Sequence, residues 1–597
     1  MVLEKWEVVY NGTEDFGESG RNMKKLLVYL KDYKKESILG PLFKLLEASF
    51  ELLVPLVMAA IIDVGIADGD RGYVMKMCGV LVLLALIGLV CSLTAQFFAA
   101  KAAVGFAAKL RHALFSHIQG FSFSELDEVG SATLITRMTS DVNQVQSGVN
   151  LVLRLFLRSP FIVFGAMIMA FTIDVKAAMI FVVTIPALAV VVFGIMLISI
   201  PLFKKVQAGL DEVLRITREN LTGVRVIRAF HKEEEEEEHF REKNTFLTGL
   251  QLHVGKISAL MNPLTYVLIN LGLVALIWTG GLRVHTGAIT QGEVVALVNY
   301  MSQILVELVK LANLIITVTK AVACGNRIES VLEMNSTMED GTEERGKDAA
   351  EYLVDFENVS MRYQGGGAEA VSGITLRVKP GETIGIIGGT GAGKSTVVNL
   401  IPRFYDISGG SLRVNGRDVR EYELKSLRDM IGIVPQKAVL FSGTIRENMQ
   451  WGKSEATDEE IYEALEIAQA KDFVEEKDGK LDARIDQGGK NLSGGQRQRL
   501  TIARALIKKP KILILDDSAS ALDYATDANL RRAIRNMKDS PTVFLVSQRA
   551  ASILHADQIL VLDDGEAVGI GAHEELLQKC EVYQEIYYSQ FSKESAT

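Results

Sequence analysis

Three windows of this chain, 77–100, 177–203 and 257–282, contain no Asp, Glu, Lys or Arg. Each exceeds the roughly 20 apolar helical residues needed to cross a hydrocarbon core of about 30 Å. Three further windows of similar length are apolar but carry charges: Lys44, Glu47 and Glu51 in 38–62, Arg154 and Arg158 in 151–173, and Glu307 and Lys310 in 294–318. The sequence therefore predicts six membrane-spanning helices, three of them with polar faces. A carboxylate at the bilayer centre costs a few kcal/mol, so it must face a cavity or a partner. Glu51 and Glu307 each lie about 20 Å into their spans at about 1.5 Å per residue. Two readings stay open for them: lining a substrate cavity that favours cations, or pairing with Arg158, Lys310 or entering water. Arg154 and Arg158, one turn apart near a span end, are expected to snorkel.

Orientation follows from Lys and Arg in the connecting segments. Segments 101–150 and 204–256 hold four and ten of them, fourteen in all; segments 63–76, 174–176 and 283–293 hold two, one and one, four in all. The long segments, which look helical, are thus expected in the cytoplasm with the N-terminus. The first thirty residues are polar and charged, so the first span is expected to serve as the insertion signal. Glu233 to Glu238 form a run of six glutamates, read as a solvated helix face rather than a cation site.

The apolar residues are pooled in one part of the chain. A mean hydropathy of +0.20 coexists with 23% charged residues among 597, too long a chain for a single core. The expected division is a cytoplasmic N-terminal segment 1–37, a six-span domain 38–325, a charged linker 326–350 and an α/β domain 351–597. Four cysteines, Cys78, Cys91, Cys324 and Cys580, without CxxC spacing exclude a disulfide scaffold and a zinc motif. A net charge of −9 without a basic stripe gives no support for nucleic-acid binding.

In the second half an apolar run at 383–387 precedes Gly388, Gly389, Thr390, Gly391, Ala392, Gly393, Lys394, Ser395 and Thr396, and a helical stretch follows. This is the G-x-x-x-x-G-K-S loop between strand and helix. Its backbone N–H groups wrap phosphates, Lys394 reaches the β and γ phosphates, and Ser395 ligates Mg²⁺. A second apolar run, 512–515, ends in Asp516, the carboxylate such a site needs for its metal.

Leu492, Ser493, Gly494, Gly495 and Gln496, followed by Arg497, Gln498 and Arg499, match the signature of ATP-binding cassette (ABC) transporters. Tyr363, Gln436 and the run Ser520, Ala521, Leu522, Asp523 stand in the order of that family's adenine-stacking aromatic, its metal-site glutamine loop and its D-loop. The six-span half resembles the type IV exporter class, and 130–145 and 219–230 resemble the stretches beside that class's coupling helices. The resemblance implies a membrane all-α six-helix transmembrane domain followed by an α/β P-loop ATP-binding cassette domain, with ATP and Mg²⁺ as ligands. It also implies that Ser493, Gly494, Gly495, Gln496 and Asp523 serve nucleotide held by an opposite cassette. One cassette and six spans are half of the usual assembly, so a second half-transporter subunit is required.

Two positions depart from the family pattern. Asp517 stands where a glutamate usually prepares the attacking water; one methylene less withdraws the carboxylate by about 1.5 Å, and a misplacement of about 1 Å can cost about a hundredfold. Gln548 stands where the family carries a histidine, and glutamine cannot accept or relay a proton near neutral pH. Together they point to a site that holds ATP and splits it slowly within a heterodimeric exporter in a bacterial-type plasma membrane. Its expected substrate is an amphipathic or drug-like small molecule, and membrane lipids are expected partners beside it. An active homodimeric exporter or lipid flippase, and an ATP-sensing regulatory or scaffold subunit, are the alternatives.

Overall fold

The computed structural model describes residues 25–344, 350–518, 520–538 and 540–591. Residues 1–24 of the expected N-terminal segment and 345–349 of the expected linker lie outside the described residues. Two compact units emerge. The first comprises Met1–Gln119 and Ala132–Met334, the second Gly120–Ser131 and Asn335–Thr597.

The first unit contains six helical stretches long and apolar enough to cross a membrane: Leu27–Ile66, Arg71–Gln119, Ser131–Ile173, Val175–Thr222, Glu233–His285 and Gln291–Glu333. All run well past the length a bilayer requires, because the apolar segments continue as helix into the charged segments between them. The third is broken at Phe156 and Leu157, between helices Val142–Leu155 and Arg158–Ile173. Pro160 explains the break: it has no N–H for the carbonyl of Phe156, and its ring crowds that carbonyl. The glutamate run opens the helix Glu233–Ala259, where negative charge complements the helix dipole. Lys232 pairs with Glu235, and Arg241 with Glu237 and Glu238 at 3.0 and 2.8 Å, as suits a solvated face. No cluster of potential metal ligands occurs among the described residues.

The second unit is built on two main sheets. Its strands are β1 (Val354–Met361), β2 (Val371–Val378), β3 (Thr383–Gly388), β4 (Gly409–Val414), β5 (Arg417–Asp418) and β6 (Ile431–Val434), followed by β7 (Gly443–Thr444), β8 (Arg484–Ile485), β9 (Ile512–Asp516), β10 (Thr542–Val546), β11 (Gln558–Asp563) and β12 (Glu566–Gly571). One sheet has the order β2-β1-β4-β5 and is antiparallel; in the other, β12-β11-β3-β10-β9-β6, only β12 runs antiparallel to its neighbour. Every residue of β9 and β10 is buried, as expected of parallel strands covered on both faces. In contrast, β2 alternates, burying Ile374, Leu376 and Val378 on one face. The parallel register brings the C-terminal ends of β3 and β9 to the same edge, either side of β10. That edge is where an open α/β sheet binds ligands.

Six of the seven charges in the spans are paired among the described residues, Arg154 being the exception. The Arg158 guanidinium donates to Glu307 Oε1 at 2.5 Å and to Glu51 Oε2 at 2.6 Å, and Ser159 Oγ and Lys310 Nζ donate to Glu307 at 2.8 and 2.7 Å. The Glu307 side chain is 3% exposed and that of Arg158 7%. The pairing reading therefore holds for Glu307. Arg158 corrects the expectation of snorkelling: two carboxylates from other spans hold it inside the bundle, and the Pro160 break puts it at the start of a new helix. Arg154 is partly buried and has no ion pair among the described residues. Removing one partner of a buried pair costs about 3–5 kcal/mol because the other charge is left uncompensated. Glu307→Leu is accordingly expected to lower the thermal unfolding midpoint of the protein in lipid nanodiscs. Replacing Glu307 and Arg158 together by leucine is expected to recover part of that loss.

Candidate functional site

The nucleotide-type loop leaves β3 at Gly388 and enters the helix Lys394–Leu400. Two glycines are required by geometry. A Cβ on Gly388 would lie 2.1 Å from the Leu562 carbonyl oxygen. Gly393 has φ +88°, and a Cβ there would meet Val371 Cγ1 at 2.6 Å. Lys394 folds back over the loop, donating to the carbonyls of Gly388 at 3.0 Å and Gly389 at 2.6 Å. Ser395 Oγ donates to Asp516 Oδ1 at 3.1 Å, linking the loop to the end of β9.

Gly393, Lys394, Ser395 and Asp516 line a cavity of about 340 Å³, within the size range of small-molecule sites. Of the residues singled out in the sequence, Tyr363, Thr390, Gly391, Gly393, Lys394, Ser395, Thr396, Gln436, Asp516, Asp517 and Gln548 meet there. Gly388, Gly389 and Ala392 do not line it; the first two contribute the carbonyls that hold Lys394. Ser493, Gly494, Gly495, Gln496 and Asp523 lie outside it. Ser493 caps the helix Gly494–Leu506, its Oγ accepting from Gln496 N at 3.2 Å while Gln496 Oε1 accepts from Ser493 N at 3.1 Å. Asp523 caps Tyr524–Arg535 through Thr526 N at 2.9 Å.

Two charged groups of the cavity carry a burial penalty. Burial pushes the Asp516 carboxyl above its ordinary range, and neighbouring Asp517 adds to the effect against the Ser395 hydrogen bond. Burial also lowers the Lys394 ammonium, a shift that Asp517 and Asp516 only partly oppose. A divalent cation beside Asp516 and phosphate oxygens beside Lys394 would relieve both penalties, so the donor set fits Mg²⁺ and a polyphosphate. Asp517 has φ +44°, in the left-handed region that aspartate tolerates better than most residues, and Gln436 Nε2 donates to its Oδ2 at 3.4 Å.

Several residues at this site escaped the sequence reading. Glu369, Ala370, Val546, Asp564 and Gly565 complete the cavity wall. Asp564 and Gly565 form the turn between β11 and β12, both at positive φ; an Asp-Gly pair between two apolar runs is a hairpin signal. Tyr405 packs its ring edge-on against Tyr363 at 5.1 Å, and Tyr363 Oη lies 3.1 Å from Thr396 Oγ1. Tyr405 Oη donates to Asp127 Oδ2 at 2.6 Å on the helix Phe123–Val129, whose Phe123 packs 4.5 Å from Phe404. Gln590 clamps the Gln548 segment from both sides: its Nε2 donates to Gln548 O, and its Oε1 accepts from Ala550 N, each at 2.8 Å. MgATP at about a hundred times its Kd is expected to stabilise the protein by about 2.7 kcal/mol, read as a raised unfolding midpoint. Lys394→Ala is expected to remove most of that rise.

A family model described as ABC transporter transmembrane region matches residues 37–308, and one described as ABC transporter matches 371–520. The ABC transporter ATP-binding protein YfiB of Bacillus subtilis is 37% identical over 575 residues, covering 96% of this chain and 100% of that protein. A protein named ATP-dependent lipid A-core flippase, from Desulfotalea psychrophila, is 34% identical over 477 residues, 80% of this chain and 83% of its own length. In fold, the chain is similar to a bacterial Atm1-family ABC exporter solved with ATP bound, with a TM-score of 0.77 at 22% identity over 94% of this chain and 99% of that one. With six spanning helices in one unit and the phosphate-loop sheet in the other, the chain belongs to the ABC transporter family, as a multi-pass membrane protein whose exporter-type transmembrane region is fused to an ATP-binding domain.

Proposed function

We propose that this chain is one subunit of a heterodimeric exporter for amphipathic or drug-like molecules, placed in a plasma membrane with its N-terminus and ATP-binding domain in the cytoplasm. In this reading its own cavity holds MgATP and hydrolyses it slowly. Tyr363 stacks on adenine, the loop from Gly388 to Thr396 cradles the phosphates, and Lys394 meets the terminal ones. Ser395, Gln436 and Asp516 hold Mg²⁺, which when bound neutralises charge on the phosphate oxygens. The signature residues Ser493, Gly494, Gly495 and Gln496, with Asp523, complete a competent site on the partner subunit. ATP binding closes the two domains on each other, and the spans respond as rigid bodies. The Phe123–Val129 helix supports such coupling, since it interrupts the span sequence yet belongs to the same compact unit as the cavity.

The observation that carries the reading is that Asp517 and Gln548 line one cavity together with Tyr363, Lys394, Ser395, Thr396, Gln436 and Asp516. Both substitutions fall on the groups that would handle the attacking water, and neither touches the phosphate loop. A homodimeric pump or flippase is the second reading, favoured by the 34% identity to a protein named for lipid A-core. The chain purified alone in nanodiscs is expected to bind ATP and turn it over slowly. Asp517→Glu combined with Gln548→His is expected to raise hydrolysis at this chain's own site, read in an assembled pair whose partner site has been inactivated, by about ten- to a hundredfold. Brisk turnover by the unaltered chain alone would instead establish the homodimer.

A further inference from the structure

The paired charges inside the transmembrane unit form an alternating chain: Lys310, Glu307, Arg158, Glu51, joined by contacts of 2.7, 2.5 and 2.6 Å. Its two inner members are buried, whereas the side chains of both ends, Lys310 and Glu51, are 41% exposed. Each end also has bonding capacity to spare. Lys310 uses one of three ammonium protons on Glu307, and Glu51 engages one of its two oxygens. Alongside, Lys44 pairs with Glu47 at 2.6 Å, so these six charges sum to zero. The paired cluster, leaving aside Arg154 one turn before Arg158, has no net attraction for a cation or an anion. It does have a dipole, positive at Lys310 and negative at Glu51.

Glu51 faces away from the apolar surface of its helix, and Lys310 lies on a polar stripe that shares its face with Val295 and Val306. On Lys34–Ala60, Leu42, Leu46 and Leu53 are exposed along one side, and at about 100° per residue Glu51 stands roughly 160° around from them. On Gln291–Glu333, Lys310 belongs to a polar stripe, Asn299, Gln303, Lys310, Asn313 and Thr317, that recurs with helical spacing inside a span. Such a stripe belongs against water or a polar ligand, not hydrocarbon. Two buried polar atoms there have no partner among the described residues, Gln303 Oε1 and Arg158 Nε.

We propose that Glu51 and Lys310 are the two poles of a binding site for a zwitterionic headgroup on an amphipath, its cationic group against Glu51 and its anionic group against Lys310. Such a ligand extends the alternation at both ends and sets its dipole against that of the cluster. A purely cationic ligand would have to share Glu51 with Arg158 and would leave the Lys310 pole uncompensated; a purely anionic one has the mirror-image problem. The proposal rests on the exporter reading and names the substrate class for it.

Three probes with the same twelve-carbon tail test it: dodecylphosphocholine, dodecyltrimethylammonium and dodecyl phosphate. Saturable binding below the micelle-forming concentration is measured to the full chain in nanodiscs of phosphatidylglycerol, which has no cationic group, against empty nanodiscs. The zwitterion is expected to bind at least about tenfold more tightly than either singly charged probe, the worth of one charge-assisted hydrogen bond. Glu51→Gln is expected to reduce it to the level of dodecyl phosphate, and Lys310→Gln to that of dodecyltrimethylammonium. Glu51→Asp, Lys310→Arg and Arg154→Gln are expected to keep the preference. Equal affinities for the three probes, or tightest binding of the cation or the anion alone, would overturn the proposal, and this comparison needs no variant to fold. So would a uniform loss for all probes in both glutamine variants, the mark of a structural role. No ATP is involved, so brisk turnover by the isolated chain would overturn the heterodimer reading and leave this one intact.

Discussion

A bilayer offers no water to a peptide group, and most of the first 334 residues answer to that constraint. Each backbone N–H and C=O must be satisfied within its own segment, which makes helices of the spans. The same absence of water governs the side chains. A lone carboxylate or guanidinium at that depth is costly, so Arg158 is tolerable only because Glu307 and Glu51 arrive from two other helices. The helix break before Arg158 is the one place in that span where the backbone rule is relaxed, and Pro160 dictates where it falls. Charge pairing and backbone geometry thus meet at one turn of the third span.

This explains what could be read before the fold was known. The spans were legible because length and absence of charge are properties of contiguous sequence. The phosphate loop was legible for a related reason: its function lies in backbone conformation over nine consecutive residues, and glycine, lysine and serine at fixed spacing record that conformation. The charge network was not legible. Arg158 lies 107 residues from Glu51 and 149 from Glu307, and whether a membrane arginine snorkels or is claimed by partners is decided by packing between helices. The cavity wall at Asp564 and Gly565 falls between these cases. Its turn carries a local signal, but its place beside the loop depends on β11 pairing with β3. Gln590 left no signal, because a glutamine on a terminal helix is ordinary until its amide is seen to close on Gln548 and Ala550.

The altered positions acquire their meaning from what surrounds them. Gln590 fixes the backbone of the Gln548 segment on both sides, and Asp517 N donates to Val546 O at 3.0 Å, tying it to the end of β10. The frame that presents Asp517 and Gln548 is therefore held by hydrogen bonds that do not involve the two side chains it presents. Nucleotide binding and nucleotide cleavage can part company in such a frame because they draw on different groups. Gripping ATP depends on backbone donors, one ammonium and a cation site, all of which tolerate small displacements. Activating water depends on a single carboxylate placed to within about 1 Å. In the proposed reading a shortened carboxylate takes away the second capacity and leaves the first, and a domain that binds ATP without cleaving it can still close around it.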